Sequence, residues 1–310
     1  MNVLNGLETS FYKSGRISDA MRVQSRILEM VPPTELIMAE RIGYQTLLKH
    51  NLSNEDELFY KLCRNGDQVS IAKKSKFKCY FLDTRKRHHS LWISRIKVEQ
   101  AYMDPEILIF HDFFSHLEME TLKKDSIPEM EYFQQFFFNQ EQSLAKSLKT
   151  VVRHSRVWEL DDARCPDSNH EIAQRVTRRI ESYTGLNTRK EFSVFIYGLS
   201  GHQNQHYDSR VSNGVDGSSI DDFGSRQLAT SNGFISDVKQ GGATTFIYLG
   251  LSIQPIKGSV IFWYNLDRNG LIDVRMRHGA CPVLFGTKWT VLHPFHIKMN
   301  EINYPCPAKQ

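Results

Sequence analysis

Apolar positions recur at helical spacing over the first fifty residues and alternate with polar ones after Gly185, so the two ends of the chain predict different architectures. Phe11 and Tyr12 close a first helical segment, and Gly15 breaks it. Ser18 offers a cap for a second, which carries Ala20, Val23, Ile27 and Leu28 on one face before Pro32 and Pro33 stop it. A third helix is predicted from Thr34 to Lys49, with Leu36, Ala39, Ile42, Gly43 and Leu47 along one stripe.

Residues 51–105 are mixed, polar and basic, with KKSKFK and the run Arg85, Lys86, Arg87, His88, His89. Such a run reads as a solvated face, and the stretch as a connector; without interleaved motif residues it does not point to nucleic acid. EILIFHDFF then predicts a strand, Ser115 to Asp125 a helix, and Asn169 to Tyr183 an amphipathic helix with Ile172, Val176 and Ile180 four apart. Beyond Gly185, FSVFIYG, GATTFIYLG, GSVIFWYNL and KWTVLHPFHI are short, rich in β-branched and aromatic residues, and divided by Gly, Asn, Asp and Pro. Several such strands without a helical period between them predict a sandwich or jelly roll. The fold class is therefore α+β, divided into a helical segment (1–50), a connector (51–105) and a main domain (106–310) whose β-core spans about 190–300.

Composition narrows the function classes. With 40% hydrophobic and 24% charged residues the chain is ordinary for a globular protein, and a net charge of +4 over 310 residues is too small to argue for nucleic acid. No stretch approaches the roughly 20 consecutive apolar residues of a membrane span. The first residues lack the apolar run and small-residue cleavage site of a signal peptide. Cys63, Cys79, Cys165, Cys281 and Cys306 form no CxxC, which argues against thiolate zinc or thioredoxin-type chemistry. Composition leaves open whether they pair or stay free and buried.

The candidate chemistry lies in HYD and RHGACP. Residues two apart on a strand share a face, so His206 and Asp208 can reach one ion while Tyr207 points away, and His278 can join them from a distant strand. Two imidazoles and a carboxylate hold iron(II) on one face and leave the other open. Alone, HxD is weak evidence in a chain with 12 histidines. His202, His293 and His296 are read as bystanders, since a further ligand would fill positions that substrates need.

In order and with similar separations, FSVFIYGLSGHQNQHYD, ISDVKQGGATTF, PIKGSVIFWYNL and RHGACPVLFGTKW resemble the catalytic domain of collagen prolyl 4-hydroxylase alpha subunits, iron(II)- and 2-oxoglutarate-dependent dioxygenases. YKSGRISDAMRVQSRILEMVPP resembles one tetratricopeptide repeat, matching the end of that family's peptide-binding domain. The resemblance implies a double-stranded β-helix. It further implies iron held by His206, Asp208 and His278, and Lys288 pairing with the distal carboxylate of 2-oxoglutarate, with Tyr197 and Thr244 adding hydroxyl donors. It implies hydroxylation of peptidyl proline in collagen-like or proline-rich secreted proteins with release of succinate and carbon dioxide, ascorbate as the rescuing reductant, and Arg226 and Gln203 at the peptide side. The other readings are a noncatalytic peptide-binding or assembly subunit, or a related dioxygenase acting on another residue.

Where the family carries GQYEPH this chain carries GHQNQH, so Gln203 and Gln205 replace a tyrosine and a proline. Pro294 stands where a tryptophan is expected, and Ser231, Asn232 and Gly233 interrupt an apolar strand. Disulfides Cys63 with Cys79 and Cys281 with Cys306 are implied by the resemblance, and with them the endoplasmic reticulum lumen. Protein disulfide isomerase is the implied second subunit. The absent signal peptide conflicts with a luminal setting; a mature form or an alternative start would reconcile them.

Overall fold

The computed structural model describes residues 16–30, 54–82, 96–128, 130–132, 152–158, 170–188, 191–209 and 226–300, with isolated positions near the N-terminus and at 41 and 45. Most of the predicted 34–49 helix, the basic run at 85–89, Cys165 and Cys306 lie outside the described residues.

Two antiparallel sheets face each other. The larger runs in the order β1 (Cys79–Leu82), β2 (Ile96–Met103), β3 (Glu106–His111), β12 (Val260–Tyr264), β8 (Gln227–Phe234), β15 (Lys288–His296), β6 (Glu191–Tyr197), β5 (Val152–Trp158), β4 (Glu131–Tyr132). The smaller is β11 (Leu251–Ile253), β10 (Thr244–Phe246), β13 (His278–Ala280), β7 (Gln203–His206). A two-stranded ribbon of β9 (Val238–Gly241) and β14 (Val283–Gly286) stands beside them. Strands adjacent in space but remote in sequence, such as β12 with β3 and β8, give the jelly-roll, double-stranded β-helix topology.

The two-residue period of the strands sorts side chains into separate cores. Val260 and Phe262 join Val291 and Phe295 beneath the helices, whereas Ile261 and Trp263 face the smaller sheet with Phe234, Phe246 and Leu251. The same alternation puts Trp289 on the helix side and Lys288, by parity, on the inner side.

Helix α4 (His116–Ser126) starts where Ser115 and Glu118 form a capping box. Helix α5 (His170–Thr184) buries the predicted stripe of Ile172, Val176 and Ile180 against the large sheet. Each such side chain contributes about 1.5–3 kcal/mol on leaving water, so a charge at Val176 would break this layer. Arg179 donates to both Glu118 oxygens at 2.9 and 2.7 Å and to the Phe113 carbonyl at 2.7 Å, tying the two helices together.

The smaller sheet is covered on its other side by α1 (Ile17–Leu28) and α2 (Glu55–Asn65), whose Ile17, Ala20, Leu58, Phe59 and Leu62 pack with Ala243, Ile247 and Cys281. Ser18 does not cap α1 but lies in its first turn; Arg16 occupies the cap without a side-chain bond and pairs with Asp19. The stretch read as a connector supplies α2, a short helix α3 (Ile71–Lys74) and the edge strands β1 and β2. Asn54 caps α2 by accepting from the Glu57 N–H at 2.8 Å. Phe59 presses so closely on β13 that a Cβ on Gly279 would stand 2.8 Å from its ring, which is why glycine follows His278.

Two expectations are corrected. Cys63 is bonded to Cys281 rather than to Cys79, and Cys79 is free and exposed, so the Cys281 to Cys306 pairing fails as well. Pairing follows from tertiary placement: α2 lies on the smaller sheet and brings the two Cα atoms to 5.4 Å, while Cys79 starts β1 at the far edge of the large sheet. Ser231, Asn232 and Gly233 do not interrupt a strand either. They continue β8, and Gly233 is needed because a Cβ there would stand 2.4 Å from the Phe114 ring.

Candidate metal centre and cosubstrate pocket

His206 ends β7 and His278 begins β13, two strands that pair with these residues opposite one another. Their ring centroids are 4.5 Å apart. Asp208 lies just past the end of β7, in a bend, so it reaches the histidines from a turn and not from the continuous strand that the HxD spacing predicts. Asp208 Oδ1 is 3.4 Å from His206 Nε2 and 3.6 Å from His278 Nε2. One ligand atom from each of the three residues lies within 4.8 Å of the others.

Both imidazoles are oriented by backbone carbonyls. His206 Nδ1 stands 2.7 Å from the Asn204 oxygen and His278 Nδ1 2.9 Å from the Met276 oxygen. An Nδ1–H donated to each carbonyl leaves each Nε2 lone pair pointing at Asp208, the tautomer a metal ligand needs. Burial pushes His278 down to about 4, against the opposing pull of Asp208, so the ring is neutral at physiological pH. Burial would raise the Asp208 carboxyl, but His278, His206 and the Thr230 hydroxyl outweigh it and hold it below the usual carboxylate range. Two imidazole nitrogens and a carboxylate oxygen converging on one point fit one divalent cation.

Behind Asp208, Thr230 donates to Oδ2 at 2.5 Å. Beside His278, Arg277 pairs with Glu55 of α2 at 2.8 Å, and beside His206, Gln205 donates to Asp56 at 2.5 Å. The acidic first turn of α2 thus grips the flanks of both histidine strands. Sequence reasoning missed these supports; the Asn54 cap followed by Glu55, Asp56 and Glu57 was the signal available for α2.

Lys288 opens β15 directly opposite Tyr197 of β6. It is 1% exposed, and its Nζ has no hydrogen-bond partner among the described residues. The ammonium lies 5.2 Å from the Tyr197 ring centroid and 5.4 Å from that of Phe234. Burial pulls it down to about 7, since nothing nearby offsets the lost hydration. Burial also raises the Tyr197 phenol well above its ordinary value, so it stays a protonated donor. Thr244, 2% exposed, likewise has an unpartnered hydroxyl, and it pairs across the ladder with Ala280, which packs on Tyr197. A buried cation and two hydroxyls on adjoining walls describe a site for a carboxylate.

Gln203 lies between these two features, with Oε1 3.3 Å from the Tyr197 hydroxyl and Nε2 3.4 Å from His206 Nε2. Arg226 donates to the Gly270 carbonyl at 2.7 Å, in a turn away from the three ligands in sequence. His293 is buried against Phe192, 4.6 Å between ring centroids, and belongs to the core.

Among curated proteins, the chain is 31% identical over 256 residues to prolyl 4-hydroxylase subunit alpha-2 of Gallus gallus, covering 81% of this chain and 45% of that one. It is 28% identical over 336 residues to prolyl 4-hydroxylase subunit alpha-2 of Caenorhabditis elegans, covering 99% and 58%. The chain is a homologue of the prolyl 4-hydroxylase alpha subunits. With subunit alpha-1 of Homo sapiens it shares 28% identity over 339 residues, 100% of this chain and 61% of that one. The chain spans about half the length of the curated relatives it matches. Among solved structures, the viral collagen prolyl hydroxylase of Paramecium Bursaria Chlorella virus-1 in its 2OG complex shares 18% identity and a TM-score of 0.45, covering 61% of this chain and 95% of that one. No family model matches the chain.

Proposed function

We propose that the chain is a prolyl 4-hydroxylase dependent on iron(II) and 2-oxoglutarate, acting on collagen-like or proline-rich peptides. The observation that carries this reading is the convergence of His206, Asp208 and His278 in a fold that also buries a lysine, Lys288, whose Nζ has no hydrogen-bond partner among the described residues. Bound iron(II) would supply oxidative decarboxylation of 2-oxoglutarate to succinate and carbon dioxide, coupled to hydroxylation at C4 of a peptidyl proline.

The protein's own part is placement and exclusion of water. His206 and His278 offer Nε2 and Asp208 offers Oδ1 to the metal. Lys288 neutralises the distal carboxylate of the cosubstrate, and the Tyr197 and Thr244 hydroxyls donate to it. Phe246 and Trp263 pack on His278, 5.5 and 4.9 Å between ring centroids, and keep solvent from that side of the site. Ascorbate would keep bound iron in the reduced state.

Peptide contacts at Gln203 and Arg226, assembly with protein disulfide isomerase and a setting in the endoplasmic reticulum lumen belong to the same proposal. The Cys63–Cys281 bond supports an oxidising compartment. Among the described residues, no helix is long and apolar enough to cross a membrane. We read residues 106–310 as the catalytic domain, braced by α2 and the edge strands that precede it. A second reading, hydroxylation of another peptidyl residue, rests on Gln203 and Gln205, which replace a tyrosine and a proline on the peptide side.

Anaerobic titration with iron(II) and then 2-oxoglutarate tests the site, through the metal-to-ligand charge-transfer band expected when both bind. Mass spectrometry of an offered Pro-Pro-Gly peptide tests the substrate. Absence of the band sinks the dioxygenase reading; a band with no modified proline leaves the second reading standing alone.

A further inference from the structure

Beyond the proposed ligands and cosubstrate contacts, three buried side chains lie in series behind Asp208. Thr230 is 0% exposed, Asn265 3% and Trp263 1%. We propose that Trp263, Asn265 and Thr230 form a one-way chain of hydrogen bonds that positions the Asp208 carboxylate and sets the affinity of the site for a divalent cation. The inference rests on the metal-centre reading above and adds positioning residues to it.

The direction of the chain follows from what each group can donate. An indole N–H only donates. Trp263 Nε1 lies 2.9 Å from Asn265 Oδ1, which turns the amide so that its NH2 faces Thr230 Oγ1, also at 2.9 Å. Gln227 Nε2 donates to the same hydroxyl oxygen at 2.8 Å. A threonine hydroxyl has two lone pairs and one proton. With both lone pairs taken by amide donors, the proton is left for Asp208 Oδ2 at 2.5 Å.

Asp208 is consequently held by one oxygen. Oδ2 is engaged with Thr230, and Oδ1 is the oxygen turned toward the two imidazole Nε2 atoms at 3.4 and 3.6 Å. Trp263 also meets the His278 ring edge to face at 4.9 Å, so a single side chain braces one ligand by packing and another through the bonded chain. The support is rigid because it crosses one ladder: Trp263 of β12 is the register partner of Thr230 of β8.

The test measures cobalt(II) affinity of the full chain by calorimetry and the visible absorption of the cobalt complex, with circular dichroism and melting of the metal-free protein as controls for folding. Thr230→Val keeps the side-chain shape and removes the proton. It should weaken cobalt binding about ten- to a hundredfold, the usual effect of deleting a group that orients a metal ligand, and alter the absorption envelope. Trp263→Phe keeps an aromatic ring beside His278 and should act in the same direction, because a freed Asn265 amide can rotate its oxygen toward Thr230 and draw the proton from Asp208. Thr230→Ser restores the hydroxyl and should stay within about threefold of wild type.

Unchanged cobalt affinity in folded Thr230→Val overturns the proposal, as does a serine variant as weak as the valine one. A drop in melting temperature alone assigns the chain to fold stability and also overturns it. Failure of the metal-centre reading looks different: the wild-type chain itself would bind cobalt no better than His206→Ala.

Discussion

Replacing Lys288 by methionine should make the metal-free protein more stable while removing its affinity for 2-oxoglutarate. The lysine is 1% exposed, with no hydrogen-bond partner among the described residues, and burial lowers it from 10.5 to about 7. That depression corresponds to about 5 kcal/mol, at about 1.4 kcal/mol for each factor of ten in proton affinity. Because the folded state binds the proton less tightly than the unfolded chain, the full penalty applies below pH 7. It shrinks as pH rises from about 7 toward 10.5, and at pH 9 about 2 kcal/mol of it remains. Methionine fills the same space against Tyr197 and Phe234 without the charge. Relaxation around the ammonium takes up part of the penalty, so about 1–4 kcal/mol of stabilisation is expected at pH 6, as for other buried charges exchanged for apolar groups. Urea unfolding at pH 6, 7.5 and 9 measures it, and the advantage of Lys288→Met should narrow steadily across that series. Calorimetry with 2-oxoglutarate and a redox-inert metal supplies the second half: losing the cation of a buried charge pair costs about 2–5 kcal/mol, roughly thirtyfold to several thousandfold in affinity. A variant less stable than wild type at pH 6, or a difference that does not change with pH, would refute the reasoning.

His278→Ala should abolish stoichiometric iron(II) binding in anaerobic calorimetry while leaving the far-ultraviolet circular dichroism unchanged, since one of three donors is lost from the cluster. Breaking the Arg179–Glu118 pair with Arg179→Met leaves the buried carboxylate only its Ser115 N–H and should lower stability by about 1–3 kcal/mol in urea melts; no measurable loss would mean that water replaces the guanidinium. Gly279→Ala forces a methyl to within 2.8 Å of the Phe59 ring and 2.9 Å of the Gln203 carbonyl oxygen and should destabilise by about 1–3 kcal/mol in urea melts, a cost that Phe59→Leu in the same chain relieves only in part because the backbone contact stays. Non-reducing peptide mapping should recover Cys63 joined to Cys281, and recovery of Cys63 joined to Cys79 would contradict the placement of α2.

The strands and the amphipathic helices were legible because each is a local pattern. Val260 to Tyr264 alternates between the two cores, and Ile172, Val176 and Ile180 stripe one helix face. The cysteines were not legible. Their pairing is decided by where α2 lands on the smaller sheet, and residue spacing carries no information about that. The polar run Ser231–Asn232–Gly233 misled for a related reason: the ladders on both sides of β8 hold its backbone in the sheet whatever its side chains are, and Gly233 is set by the volume of Phe114, far away in sequence.

The site divides along the same line. His206, Asp208, His278 and Lys288 were named because the linked motifs around them resemble a known family, since HxD alone is weak evidence and their neighbours in space are remote in sequence. Thr230 and Asn265 are ordinary polar residues, and nothing local distinguishes a threonine that orients a carboxylate from one on a solvated edge. What distinguishes them is the ladder. The antiparallel register of β12 with β8 sets Trp263 opposite Thr230, and the chain continues from β12 to Asn265, so the donor-only indole, the amide and the hydroxyl fall in series toward Asp208. The candidate ligands can be named from motifs, but the forces that aim them come from strand pairing. Substitutions two steps removed from the metal should therefore act through geometry: they should change cation affinity before they change the fold, because each link removed frees a rotation at Asp208 while the sheet around it keeps its hydrogen bonds.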